Sequence, residues 1–269
     1  MDLQNKIAWI TGASSGIGEA IAYELAKHGC RLVLSGRKTG ELERVAKATQ
    51  LNPENVMILA IDLEHPDQAE NWTNQVVAKF GRIDILVNNG GISQEGLALD
   101  TNAAVEAKIM NINYFGNVAL SKAVARIMKQ QGGGKIAVTT SIIGKFGLPG
   151  LSTYAASKHA LYGFYDSFRL EVRKDNIRIL LVAPGFINTR VTLNAVTPDG
   201  STFNKNSPAQ ENGMETAAFA RKYVAALRSN RTHKYIGKKE LLSIPFKTFF
   251  PKLFYNIMFN MNEKKMQNR

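Results

Sequence analysis

The chain has 269 residues, of which 45% are hydrophobic and 21% charged, enough for one large core or at most two domains. Residues 221–269 hold ten of the twelve net positive charges, so the rest of the chain is nearly neutral and argues against a nucleic-acid-binding body. No apolar run is long enough to span a membrane, and the N-terminus lacks the apolar core of a signal peptide. The single cysteine, Cys30, rules out an internal disulfide, and we expect a cytoplasmic protein.

The first motif is a glycine-rich turn between a strand and a helix. A short apolar strand, Lys6–Ile10, runs into Thr11–Gly18, and apolar residues at helical spacing follow. Free N–H groups and the helix dipole attract phosphate at such a turn, and glycines let the backbone approach a pyrophosphate closely. The pattern predicts a dinucleotide site, with a purely structural turn as the open alternative.

The second strand, Arg31–Ser35, ends in Gly36, Arg37 and Lys38. A dinucleotide fold that prefers NAD usually carries an acid near this strand end, where it binds the ribose 2′-hydroxyl. Positive charge suits a 2′-phosphate instead, so this stretch favours NADP. The alternative is a solvated charge run at the start of a helix.

Strands and helices continue to alternate along the chain. Further helices are predicted over 40–50, 66–80 and 103–129, and further strands over 56–61, 83–87, 135–140 and 177–183. Asn113 is mildly unfavourable inside the long helix, where it is either tolerated or distorts the helix and holds a water. The alternation predicts one α/β domain, a parallel sheet with helices on both faces.

Tyr154 and Lys158 are four residues apart, which places both side chains on one face of a helix. An ammonium beside a phenol favours the phenolate and lowers the tyrosine pKa toward neutrality. Such a phenol can exchange a proton with a carbonyl or carbinol oxygen. Taken alone, the pair also fits a solvated helix face.

The motifs, in this order, resemble the short-chain dehydrogenase/reductase family over residues 5–237. The matching elements are Thr11–Gly18, Asp62-Leu63, Asn88–Gly91, Asn113, Ser141, Tyr154 with Lys158, and Pro184-Gly185 with Thr189. Gly91 stands where the family usually has alanine, a small-for-small change. The resemblance implies a single-domain Rossmann-type, doubly wound parallel sheet of about seven strands.

The resemblance also implies residue roles. Tyr154 is the general acid in reduction, and Lys158 lowers its pKa and binds the nicotinamide ribose. Ser141 orients the substrate oxygen, and Asn113 holds a water that links Lys158 to solvent. The implied NADP(H)-binding residues are Gly12, Ser14, Ser15, Gly16, Ile17, Gly18, Arg37, Asp62, Leu63, Asn89, Gly90, Tyr154, Lys158, Pro184, Ile187 and Thr189. The family commonly forms homodimers or homotetramers through the helices that carry Asn113 and Tyr154.

Residues 186–215 are polar and poor in regular periodicity. In a fold of this kind they cover the substrate as a lid, with a flexible insertion as the alternative. Ser141, Phe146 and Phe186 are the predicted substrate-binding residues. With Leu148 and Leu151, the two phenylalanines favour an apolar ketone.

The last stretch, 241–269, is a basic aromatic tail. Thirteen of the 21 residues of Leu241–Met261 are apolar or aromatic, and many fall at helical spacing. Pro245 and Pro251 divide it, and Pro251 can open a helix. The basic residues around the aromatic face are Lys247, Lys252, Lys264, Lys265 and Arg269. Contact with a membrane surface, contact with a partner subunit and packing on the chain's own core all remain open.

The sequence thus predicts a catalytic domain over 1–240 and a tail over 241–269. Leu193–Ser201 and the tail are similar to the subgroup around dehydrogenase/reductase member seven B, which implies an NADP-linked carbonyl reductase with a lipid-like or steroid-like substrate. We predict no metal site. The alternatives are a non-catalytic NADP(H)-binding sensor on the same fold and a lipid-surface-binding protein.

Overall fold

A computed structural model describes residues 2–205 and 207–267, without the side chains of residues 262 and 264–267. Its centre is a seven-stranded parallel sheet in the order β3-β2-β1-β4-β5-β6-β7. The strands are β1 Ile7–Thr11, β2 Arg31–Gly36, β3 Val56–Ala60, β4 Ile85–Asn88, β5 Gly134–Thr139, β6 Ile177–Pro184 and β7 His233–Ile236. The predicted doubly wound sheet is confirmed.

Helices cover both faces of the sheet. They are α1 Gly16–Lys27, α2 Thr39–Ala48, α3 Ala69–Phe80, α4 Ala103–Met110, α5 Gly116–Gln130, α6 Ser152–Glu171, α7 Pro208–Glu211, α8 Thr216–Arg228, α9 Ser243–Phe249 and α10 Pro251–Gln267. One hydrophobic layer packs α1 and α8 against one face, and a second packs α3, α5 and α6 against the other. The central strands are apolar on both sides, as buried parallel strands must be. No helix in the described residues is both long and apolar enough to cross a bilayer.

The strand order fixes the place of the site. From β1 the chain winds outward through β2 and β3, then crosses back to β4 on the other side of β1. Connections therefore leave the neighbouring strands β1 and β4 in opposite directions. Open α/β sheets bind ligands in the crevice formed at such a point, beyond the carboxyl ends of the strands.

The predicted long helix over 103–129 is interrupted. A π-helical turn, Asn111–Phe115, separates α4 from α5 and contains Asn113, which is fully buried. Such turns insert a residue into the helical ladder and often mark functional sites. Of the two alternatives for Asn113, the structure therefore has the distorted helix.

The segment that the sequence predicts as a lid, residues 186–205 and 207–215, contributes residues to the cleft at the carboxyl edge of the sheet and is held by backbone bonds. Val196 N–H donates to Ser93 O at 3.0 Å, and Glu95 N–H donates to Val196 O at 2.9 Å. A second contact pairs Ile187 with Met214. The bonds to Ser93 and Glu95 join this segment to the loop after β4, and its cover of a substrate stays a prediction.

The tail folds back on the body and exposes its other side. Phe254 is fully buried, and its ring meets that of Phe146 edge-on with centroids 5.3 Å apart. Pro251 begins α10 as predicted, whereas Pro245 lies in the first turn of α9, where its missing N–H leaves no helical bond unmade. The exposed large apolar residues of this region are Leu242, Phe249, Phe250, Leu253, Tyr255, Ile257, Phe259 and Met261. The predicted contributions of Lys264, Lys265 and Arg269 lie outside the side chains that the structure describes.

Candidate active site

A cleft of about 1110 Å³ opens at the carboxyl edge of the sheet, where the strand order reverses. The glycine turn after β1 forms one end of it, and Ser141, Tyr154 and Lys158 lie on another wall. Lid residues, among them Phe186 and Val196, close part of its mouth. Sequence-distant motifs thus meet in one space large enough for a dinucleotide and a small substrate.

The glycine turn fits a dinucleotide phosphate group. Gly12 and Gly16 have φ angles of +64° and +58°, in the left-handed region that favours glycine. A Cβ on Gly12 would lie 2.9 Å from the Cα of Gly90, and a Cβ on Gly18 would overlap the carbonyl oxygen of Gly12. Ser15 precedes α1 without capping it by its side chain. The turn therefore allows close backbone approach and presents a helix N-terminus, the requirements for binding pyrophosphate.

Polar side chains fasten the end of β1 to the end of β4. Thr11 Oγ1 accepts from the N–H groups of Asn89 and Gly90 at 3.0 and 2.9 Å. Asn89 Nδ2 donates in return to Thr11 O at 3.2 Å. These bonds join the two strand ends and hold Gly90 close to Gly12 of the glycine turn.

The catalytic candidates lie where α6 begins and where β5 ends. Lys158 is 5% exposed, and its Nζ donates to Thr139 O at 3.1 Å and lies 5.7 Å from the centre of the Tyr154 ring. Ser141 is buried, and its Oγ accepts from Ile143 N–H at 3.1 Å. The i, i+4 spacing therefore brings the phenol and the ammonium to one wall of the cleft, together with the serine.

The protonation of this group differs from the sequence expectation. Burial raises the pKa of Tyr154, with a hydrogen bond from Ser141 acting in the opposite direction, so the predicted shift toward neutrality is wrong for this structure. Burial lowers the pKa of Lys158 to about 8. The physical reason is desolvation, which disfavours the charged form of both groups. At neutral pH, Tyr154 is a protonated phenol and can act as a proton donor.

Asn113 lies in the π-helical turn between α4 and α5, and its side chain is hydrogen bonded to two other parts of the site. Its Oδ1 accepts from Ile92 N–H at 2.8 Å, and its Nδ2 donates to Ile92 O at 2.9 Å and to Ser157 Oγ at 3.1 Å. These bonds tie the π turn to the loop after β4 and to α6. The water that the resemblance assigns to Asn113 stays a prediction.

Most of the other predicted residues line the cleft. Those that do are Gly12, Ser14, Ser15, Gly16, Ile17, Arg37, Asp62, Leu63, Asn89, Gly90, Pro184, Phe186, Ile187 and Thr189. Gly18 and Phe146 are not among its lining residues. Gly18 allows close packing of α1 on the strand end, and Phe146 lies in the apolar cluster beneath the tail, so the predicted contact of Phe146 with substrate does not appear in this structure.

Sequence reasoning missed two parts of the site. The loop after β4, from Ile92 to Leu97, lines the cleft but carries no recognisable pattern. Glu240, placed in the sequence only as the end of a domain, accepts from the N–H groups of Phe186 and Lys238, both at 3.0 Å. It thereby fixes the start of the lid, and no local sequence signal distinguishes it from a surface acid.

A dinucleotide-sized cleft at the reversal of strand order, with the side chains of Tyr154 and Lys158 in its wall, is the kind of site found in oxidoreductases that bind a dinucleotide. The chain belongs to the short chain dehydrogenase family, whose model matches residues 6–199.

Two curated proteins are similar to the chain in sequence, and one solved structure is similar to it in fold. A "Dehydrogenase/reductase SDR family protein 7-like" of Anopheles gambiae is 43% identical over 231 residues, which are 83% of this chain and 73% of that protein. "Dehydrogenase/reductase SDR family member 7B" of Bos taurus is 33% identical over 99% of this chain and 84% of its own length. A short chain dehydrogenase/reductase from Burkholderia phymatum, solved in complex with NAD, superposes with a TM-score of 0.82 at 22% identity, covering 94% of this chain and 96% of that one.

Proposed function

We propose that the chain is an NADP(H)-dependent oxidoreductase that interconverts a ketone or aldehyde and an alcohol, with an apolar carbonyl compound as its substrate. The observation that carries this proposal is that Ser141, Tyr154 and Lys158 share the wall of a cleft whose other end is the glycine turn after β1. A sensor that only binds nucleotide has no need of that side-chain group.

In the proposed reaction, the glycine turn and Lys158 would hold a dihydronicotinamide dinucleotide, which would supply the hydride for the carbonyl carbon. Tyr154 donates its phenolic proton to the carbonyl oxygen, and its raised pKa keeps that proton in place at neutral pH. Ser141 hydrogen bonds the same oxygen and orients it. Lys158, with a pKa of about 8, is mostly an ammonium at pH 7 and places positive charge beside the phenolate that forms.

The test is loss of NADPH absorbance with a panel of steroid, retinoid, acyl-ketone and small aromatic carbonyls, followed by Tyr154→Phe on the best substrate. We expect turnover to fall by roughly 10²–10⁴-fold while NADPH binding is kept, because the ring stays and only the proton is lost. Tyr165→Phe is the matched control, since Tyr165 is buried in the same helix but does not line the cleft. Near-normal turnover in Tyr154→Phe would show that another group is the acid.

The preference for NADP(H) is proposed from Arg37 and Lys38. Both are exposed at the end of β2, and both line the cleft beside Ser14. A guanidinium can pair with a 2′-phosphate through charge-assisted hydrogen bonds. We expect NADPH to bind at least about tenfold more tightly than NADH, which is roughly 1.4 kcal/mol.

Arg37→Ala is expected to remove most of that difference by weakening NADPH binding while leaving NADH binding nearly unchanged. Arg173→Ala, at an exposed arginine just before β6 and outside the cleft lining, is the control for lost surface charge. Fluorescence titration gives all the dissociation constants. Equal constants for NADPH and NADH in the unmutated protein would contradict the proposal.

An apolar substrate is proposed from the walls around Tyr154. Leu148, Leu151 and Phe186 line the cleft on the side of the catalytic group, and Val191 and Phe203 of the lid line it as well. Apolar walls stabilise the binding of a lipid-like or steroid-like carbonyl by the hydrophobic effect. They offer few hydrogen-bond partners for the hydroxyls of a sugar.

A lipid surface is the proposed partner of the tail, taken as a distinct unit over 241–269. Leu148, Leu151 and Tyr154 belong to the apolar cluster that includes Phe254, so the tail lies beside the substrate side of the cleft. Phe249 is 75% exposed in a region whose net charge is strongly positive. Apolar insertion and attraction to anionic headgroups would act together there, at roughly 1 kcal/mol for each basic group near the surface.

The triple variant Phe249→Ser, Leu253→Ser and Ile257→Ser tests the tail, because these exposed side chains can change without opening the core. We expect weaker co-sedimentation with phosphatidylserine-containing vesicles, and salt should weaken binding of the unmutated protein. Vesicle binding equal to that of the unmutated protein would rule out the lipid surface. A change in oligomeric state by sedimentation velocity would assign the face to a partner subunit instead.

A homodimer or homotetramer through α4, α5 and α6 is proposed separately, supported by exposed Phe115 and Leu170 there.

A further inference from the structure

Gln94 is a buried polar residue in the loop after β4, and its side chain reaches the start of the catalytic helix. It is 1% exposed. Its Oε1 accepts from the backbone N–H groups of Thr153 and Tyr154 at 2.9 and 3.1 Å. These are the second and third residues of α6, whose first N–H groups have no partner within the helix.

The helix does not cap itself. Leu151 precedes α6 and offers no side-chain acceptor. Gln94, about sixty positions earlier in the chain, therefore caps the helix in place of a local residue. The other end of the amide is also held, because Nε2 donates to Thr101 Oγ1 at 3.3 Å and to Ser152 Oγ at 3.4 Å. With hydroxyls on one side and N–H donors on the other, the amide has one orientation that satisfies all four partners.

The same residue also lies beneath the lid. Gln94 forms a β-bridge with Val196, whose N–H and C=O bond to Ser93 and Glu95 on either side of Gln94. The backbone of this loop therefore binds the lid through Ser93 and Glu95. The side chain of Gln94, which lies between them, binds the first turn of α6.

We infer that Gln94 is a positioning residue: it fixes the first turn of α6, and with it Tyr154, against the loop on which the lid sits. The inference rests on the proposed role of Tyr154 as the acid. A proton donor must lie within hydrogen-bond reach of the reacting oxygen, and a small misplacement of such a group is costly to the rate. The four polar contacts of the Gln94 side chain are all to protein groups, so we expect it to act on the reaction through the place of Tyr154.

Gln94→Met keeps the length of the side chain but removes the acceptor. We expect kcat to fall on the order of 10- to 100-fold, with the NADPH dissociation constant within about twofold of that of the unmutated protein. Gln94→Glu keeps an acceptor for both N–H groups at a helix N-terminus, where negative charge is favoured, and should retain kcat within about threefold.

The matched control is Gln131→Met. Gln131 also bonds backbone groups through its amide, accepting from Ile83 N–H at 3.2 Å and donating to Ile83 O at 2.6 Å, but it lies at the opposite edge of the sheet. A purely structural loss should lower the melting temperature in both Met variants and leave kcat of Gln131→Met unchanged. An equal fall of kcat in the two variants, or a Gln94→Glu variant as slow as Gln94→Met, would overturn the inference.

Amide hydrogen exchange tests the geometry without any substrate. The amides of Thr153 and Tyr154 should be protected in the unmutated protein and exchange roughly tenfold faster or more in Gln94→Met. Unprotected amides at these two positions in the unmutated protein would refute the contact, even if the variant failed to fold. If no carbonyl of the panel is reduced while protection depends on Gln94, the proposed function fails and the contact stands.

Discussion

Replacing Lys158 with methionine should make the cofactor-free protein more stable while removing its activity. The side chain keeps its length but no longer carries a charge into a site that is 5% exposed. Burial lowers the pKa of Lys158 from 10.5 to about 8, and a shift of that size corresponds to roughly 3 kcal/mol of penalty on the ammonium. The lost hydrogen bond to Thr139 O offsets about 1 kcal/mol of this. The net gain is about 2 kcal/mol, or a rise in melting temperature of roughly 4 °C for a chain of this size.

The sign of the effect depends on pH. A folded-state pKa below the unfolded value means that the folded protein carries the full penalty below about pH 8, and that the penalty disappears as pH rises toward 10.5. The advantage of Lys158→Met should therefore be largest at pH 7, and above pH 10.5 it should become a loss of about 1 kcal/mol, because only the missing hydrogen bond to Thr139 O remains. Calorimetry without cofactor measures it, with Lys222→Met, an exposed lysine on α8, as the control that should change stability by less than about 0.5 kcal/mol. A variant less stable than the unmutated protein at pH 7, or a gain that does not vary with pH, would refute the reasoning.

Three further substitutions test the packing that supports the site. Gly18→Ala should lower the free energy of unfolding by about 1–3 kcal/mol and weaken NADPH binding, because its methyl group meets the backbone oxygen of Gly12; urea unfolding and fluorescence titration measure the two effects. Tyr165→Phe should cost about 1–3 kcal/mol in urea unfolding, since its buried hydroxyl lies 2.7 Å from Ser121 Oγ, while kcat is unchanged. Phe254→Ala should cost about 3–5 kcal/mol if the tail unfolds together with the body, and an unchanged urea midpoint would show that the two unfold separately.

The sequence by itself determined the strand–helix alternation, and therefore the parallel sheet. The spacing of apolar residues and the positions of turn-forming glycines are local properties of a sequence. The strands, glycine turns and helices of this chain follow them closely. It also identified the candidate catalytic residues. Tyr154 and Lys158 meet because a helix repeats every 3.6 residues, a fact that needs no tertiary structure.

Only the tertiary structure decided what surrounds those residues. The pKa of Tyr154 rises because of burial, which depends on the packing of α6 beneath the lid and cannot be read from the spacing to Lys158. Phe146 turns from the cleft to Phe254 because the tail folds back over it. Gln94 and Glu240 hold α6 and the lid through bonds between distant parts of the chain. Such contacts depend on the positions of the strand ends in three dimensions, which a local sequence pattern does not specify.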